Sequence, residues 1–124
     1  GQGYLARLSG STAEFLSMWS LMMTGPAPFS LSDEGKLQLT LQPALAVWLF
    51  NEDDTLSFTW LSRTMVTYRN PQKMDTWQLK PCAGTIVTES GETVESKTGV
   101  FEGKAVEQIR DLEVKSISID LCKA

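Results

Sequence analysis

The sequence predicts a mainly β fold: an antiparallel, jelly-roll-like β-sandwich preceded by one apolar α-helix. Three observations carry this. After residue 35, apolar residues alternate with polar ones in several short runs, the period of a half-buried strand. Gly, Pro, Asn and Ser punctuate these runs at close spacing, as turns in a sandwich do. Before them, Thr12 to Met23 contains no Gly or Pro and is apolar on most of a helical circumference. The expected organisation is a helical unit over 1–25 and a sandwich over 26–124.

The helix opens at Ser9-Gly10-Ser11-Thr12, where any of three hydroxyls can cap the free N–H groups of a first turn. Its body carries Phe15, Leu16, Met18, Trp19, Leu21, Met22 and Met23, with a narrow polar line through Glu14, Ser17 and Ser20. Such a helix needs apolar cover on several sides, and Phe15, Met18, Trp19 and Met22 are the candidate docking residues. It is too short to cross a bilayer, which takes about 20 residues, so the cover is expected to be protein. At its start, small residues, outward N–H groups and the helix dipole form a generic cradle for phosphate, with Arg7 adjacent. The plainer reading of the same residues is an N-cap in which Glu14 completes a capping box.

Gly25-Pro26-Ala27-Pro28 stops the helix, and Ser30 to Gly35 reads as a surface turn. Lys36 to Gln42 alternates strictly, with Leu37, Leu39 and Leu41 on one face. Leu45 to Phe50 is apolar on both faces. Asn51 to Asp54 is an acidic loop without the ligand spacing of a calcium site, hence a solvated turn. Thr55 to Leu61 and Thr64 to Arg69 form a hairpin around Ser62-Arg63, with Leu56, Phe58, Trp60, Val66 and Tyr68 inward. Asn70-Pro71 breaks it. Asp75 to Lys80 is read as a short strand carrying Trp77 and Leu79, ending before Pro81. Thr85 to Thr88 and Thr93 to Ser96 flank Glu89-Ser90-Gly91-Glu92 as a second hairpin, Lys104 to Asp111 is briefly helical, and Val114 to Leu121 is a final strand with Ile117, Ile119 and Leu121 inward.

Composition narrows the function. The chain has 124 residues, 15 acidic against 11 basic, with no run of Lys or Arg, so nucleic acid is not expected as a partner. No apolar run approaches the length of a transmembrane segment. Gly1-Gln2-Gly3 reads like the interior of a longer polypeptide, so a fragment or a processed chain is expected. There is no His, which removes Ser–His and Cys–His chemistry and the commonest transition-metal ligand; no metal, cofactor or catalytic residue is expected within the chain. Cys82 and Cys122 match no metal or redox spacing; a disulfide is geometrically possible, and two buried free thiols are the reading adopted.

The run ARLSGSTAEFLSMW, followed by a Gly-Pro break, then KLQLTLQPALAVWLF and LSFTWLSRTMVTYRNP, resembles the C-terminal end of the cellobiose phosphorylase family, glycoside hydrolase family 94, and its β-oligoglucan phosphorylase relatives. The resemblance is close from Tyr4 to about Asp75 and looser to Leu121. It implies that the leading helix comes from the end of an α/α barrel and that the strands form the family's C-terminal sandwich. It further implies inverting phosphorolysis of a β-glucosidic bond, in which inorganic phosphate attacks the anomeric carbon and a carboxylic acid protonates the leaving oxygen. By the same resemblance Ser9 and Gly10, continued by Ser11 and Thr12, bind the phosphate, the substrate is a β-glucan, and the compartment is the cytoplasm. The family's catalytic Asp and phosphate-binding His lie upstream of anything matched here. The chain alone is therefore not a complete phosphorylase, and its implied partner is the rest of an α/α-barrel catalytic domain.

Two other functions fit the residues. A non-catalytic subunit would dock into a larger assembly through the apolar helix. A carbohydrate-binding module would stack sugar rings on exposed aromatics, with Trp48, Trp60 and Trp77 as candidates. Trp60 shares a strand face with Leu56 and Phe58, which favours core packing for it.

Overall fold

The computed structural model describes residues 21–124 and shows a mainly β chain with two sheets. Its strands are β1 (Phe29–Leu31), β2 (Leu37–Thr40), β3 (Thr55–Trp60), β4 (Thr64–Arg69), β5 (Leu79–Thr88), β6 (Thr93–Ser96), β7 (Val100–Glu102) and β8 (Val114–Lys123). The small sheet has the order β1-β2-β7 and the large one β3-β4-β8-β5-β6. The start of the leading helix lies outside the described residues; its last turn, 21–24, is helical.

Period-two patterning builds most of this. In β2 and just beyond it, Leu39 and Leu41 are wholly buried while the residues between them are not. The β3–β4 hairpin pairs Thr55 with Arg69 through Trp60 with Thr64, leaving the expected short connection at 61–63, where Leu61 and Ser62 adopt positive φ. The β5–β6 hairpin also forms, pairing Gly84 with Ser96 through Val87 with Thr93. In β8, Val114 and Ile117 are both fully buried although three apart in sequence. A register shift against β5 between Val87 and Thr88 accounts for this, since one extra residue resets which face points inward.

Four sequence expectations are corrected. The strands are not all antiparallel: β4 and β8 run parallel, pairing Met65 with Ser116 through Arg69 with Asp120. The chain between them is long enough for the crossover a parallel pair requires. Val47–Leu49 forms a 3-10 turn instead of continuing the apolar run as a doubly buried segment. Thr76–Gln78 is a second 3-10 turn, so Trp77 and Leu79 do not share a strand face, and the strand begins at Leu79 and runs through Pro81. Proline has no N–H for a ladder bond, and the ladder shifts between Pro81 and Ala83, leaving Cys82 as the extra residue of an irregularity. Finally, Cys82 and Cys122 are joined in a disulfide closing a sequence separation of 40, not held as free thiols. Strands β1 and β7 were not anticipated at all, being three residues each.

The two sheets share one core. Leu39, Leu41 and Leu45 meet Val66, Tyr68, Ile86, Ile117 and Ile119, and the short helix Lys104–Arg110 adds Val106 and Ile109. A close approach occurs at Gly84 of β5, where an added Cβ would lie 2.9 Å from both Phe101 Cζ of β7 and Ile119 Cδ1 of β8. Only glycine leaves room for the Phe101 ring. Gly84→Ala is expected to cost about 1–3 kcal/mol by overpacking, read as a lower urea midpoint with an unchanged slope.

Tyr68 is completely buried, and burial raises the pKa of its phenol far above the usual 10.0. In the unfolded chain the phenol ionises near that usual value, so above it the unfolded state binds fewer protons than the folded one. Stability therefore falls as pH climbs past about 10, by about 1.4 kcal/mol per pH unit from this one group. Urea titrations between pH 9 and pH 11 are expected to show the slope in the wild-type chain and a weaker one in Tyr68→Phe. For the disulfide, a closed loop of 40 residues corresponds to about 4 kcal/mol of lost unfolded-state entropy; Cys82→Ala with Cys122→Ala is expected to lower stability by up to that amount, and mild reduction of the wild type to do the same.

Candidate functional site

Two constructions stand out from the ordinary sheet ladder. The first is the end of the leading helix. The last four carbonyls of a helix have no partner inside it, and here each finds one. Leu21 O accepts from Gly25 N at 2.9 Å, Met22 O from Ala44 N at 2.7 Å, Met23 O from the Tyr68 hydroxyl at 2.5 Å, and Thr24 O from Gln42 N at 3.1 Å. Gly25, at φ +89°, makes the left-handed exit that a helix terminus of this kind uses, and a Cβ added to it would lie 3.0 Å from Gln42 O. Met23 and Thr24 are buried, Met22 packs half-buried on this chain's own core, and Leu21 is exposed.

The second is a stapled pair of turns. Thr76 donates its hydroxyl to Pro43 O at 2.7 Å and accepts from Leu45 N at 2.6 Å, while Thr76 N donates to Leu45 O at 2.9 Å. One residue earlier, Asp75 Oδ1 accepts from Val47 N at 2.8 Å. Segments 43–47 and 75–76 are thus tied together by four hydrogen bonds, and the 3-10 turn that follows each tie carries a tryptophan at its centre. Trp48 is 79% exposed and Trp77 63%. Trp77 borders a cavity of about 210 Å³, lined also by Gln42, Pro43, Lys80 and Pro81.

Trp60 behaves otherwise. It packs half-buried on the core, with its ring stacked on Phe29 at 5.4 Å between centroids. Of the three tryptophans singled out in the sequence, the fold therefore presents two outward and turns one inward. Two further cavities exist. One of about 450 Å³ is bordered by the disulfide and by the cross-strand Arg69–Asp120 pair; the other, about 360 Å³, is lined by Asp33, Glu34 and Glu102. Their charges are largely solvated, so such pairs contribute little to stability. Among the described residues no group of three or more acidic or Cys side chains is arranged to hold a metal ion, and no helix is long and apolar enough to cross a membrane.

The phosphate-cradle residues Ser9, Gly10, Ser11 and Thr12 and the docking residues Phe15, Met18 and Trp19 lie outside the described residues. Sequence reasoning did not find the staple. Its signal was present as Asp75-Thr76, two short side chains that bond backbone groups in place of a ladder, but the alternation of Trp77 and Leu79 masked it. Compared with known proteins, the chain matches no family model and no curated relative.

Thr76→Val keeps the volume and removes the hydroxyl, leaving Leu45 N–H and Pro43 O without it in a buried position. The expected loss is about 2–4 kcal/mol, measured by urea unfolding, with faster amide hydrogen exchange at Leu45 and Val47 than at the β8 core.

Proposed function

We propose that this chain is the C-terminal part of a carbohydrate phosphorylase that cleaves β-glucosidic bonds with inorganic phosphate. In this reading the two sheets form a jelly-roll-like β-sandwich that closes an α/α-barrel catalytic body. The leading helix belongs to that body, Phe15, Met18 and Trp19 face it while Met22 packs on this chain's own core, and Ser9, Gly10, Ser11 and Thr12 open the helix beside the phosphate. The general acid and the remaining phosphate ligands come from the barrel, since the family's catalytic Asp lies upstream of the matched residues and this chain has no His.

The observation that supports the reading best is the helix terminus. All four terminal carbonyls are bonded, one to the terminating glycine and three to the β body, so the last turn, 21–24, is fixed against the sheets. An end-piece must do this to hold its position against a helical body, and the order of helix then strands is the one the resemblance implies. A free-standing sandwich has no such need of an apolar helix.

The native polypeptide, or the complex that contains it, is expected to include an α/α barrel by intact mass and to release glucose 1-phosphate from β-gluco-oligosaccharides only when inorganic phosphate is supplied. Ser9→Ala in that complete enzyme is expected to raise the KM for phosphate about tenfold or more, the worth of one hydrogen bond to a charged group, with a smaller change in the KM for sugar. A native polypeptide that carries no barrel and recruits none, or an intact enzyme without phosphorolysis, overturns the reading.

A further inference from the structure

We propose that the Trp77 cavity binds one pyranose ring with equatorial hydroxyls, separately from any catalytic centre. Trp77 is presented on a 3-10 turn whose base is fixed by the Thr76 and Asp75 hydrogen bonds, so its indole sits on a rigid mount although its surface is open. Ordering that turn on binding would reduce affinity, and here the fold has already ordered its backbone. The adjoining space of about 210 Å³ is smaller than the roughly 300–1,000 Å³ of pockets for drug-sized ligands, which suits a single ring over an oligomer.

The lining matches the two characters of a pyranose with equatorial hydroxyls. Its axial C–H bonds form a flat apolar face with partial positive charge, which complements the electron-rich face of an indole. Pro43 and Pro81 extend that apolar wall, and Gln42 and Lys80, whose side chains carry an amide and an ammonium, line the same cavity. Gln42 both donates and accepts and Lys80 donates, the combination hydroxyl groups require. Lys80 makes no ion pair among the described residues. Trp48, on the turn tied to this one, does not line the cavity and is not part of the proposed site.

This site stands on the cavity and its mount, and does not depend on the phosphorylase reading. The test is titration of the 124-residue chain with cellotriose up to about 10 mM, the range of a weak single-ring site, followed by NMR of the indole and side-chain amide N–H groups. Saturable shifts are expected at the Trp77 indole and the Gln42 amide. Trp77→Ala is expected to weaken binding about tenfold or more, Trp77→Phe to retain most of it, Gln42→Ala to weaken it, and Trp48→Ala to leave it unchanged. Because Trp77 is exposed, its variants keep the dispersed spectrum of the folded chain, and Gln42→Ala gives an independent reading if one does not. Absence of saturable shifts in the folded wild type, or affinity unaltered in both Trp77→Ala and Gln42→Ala, overturns the proposal, whatever the outcome of the phosphorolysis assay.

Discussion

The bonding of the helix terminus by the β body is the constraint on which the arrangement of this molecule turns. Helix ends near a surface usually leave their final carbonyls to water. Here Ala44, Tyr68 and Gln42 supply donors to three successive carbonyls, and Gly25 closes the fourth. The most consequential of these is Tyr68, because its hydroxyl must travel into the core to do the work. A phenol without a partner in that place would be costly; paired with Met23 O, it links β4 to the helix and places its ring 5.9 Å from Phe58. The same segment, 42–45, that receives the helix also receives the Thr76 staple. Two features that look unrelated along the chain therefore share one strip of backbone.

The legible part of the fold was the part governed by alternation. Leu37, Leu39 and Leu41, then Leu56, Val66 and Tyr68, then Ile117, Ile119 and Leu121 all lie where period two puts them, because a half-buried sheet face leaves no other solution. Turn chemistry was legible too, at Gly25, at 61–63 and around Gly91. What could not be read were features decided by distant partners. The run from Leu45 to Phe50 looks buried on both faces, yet Trp48 is exposed because Asp75 and Thr76 capture the backbone before a strand can form. Pro81 looks like a strand end, yet β5 passes through it by way of a ladder irregularity. The parallel partner of β4 lies some fifty residues away, and nothing local announces it. The strands β1 and β7 are too short to show any period.

The paired cysteines bear on the surroundings in which the protein works. Forty residues of separation hide the pairing from a sequence reading, because spacing alone carries no geometry. In the fold, the irregular residue of β5 is brought against β8 and the bond completes the join. Disulfides of this structural kind persist in oxidising compartments. The exposed Trp77 mount lies on the same strand entry, one turn before Cys82, so the bridge also steadies the strand from which that turn departs.

The position of β8 has a consequence for how the molecule is made. It follows the other seven strands in sequence, yet it occupies the middle of the large sheet, between β4 and β5. Until it emerges from the ribosome, the two hairpins stand apart, each with an open edge and a greasy face, and nothing in the preceding residues can substitute for it. Assembly of the large sheet must therefore wait for β8, and a nascent chain stalled before Val114 would present two unprotected templates for intermolecular pairing.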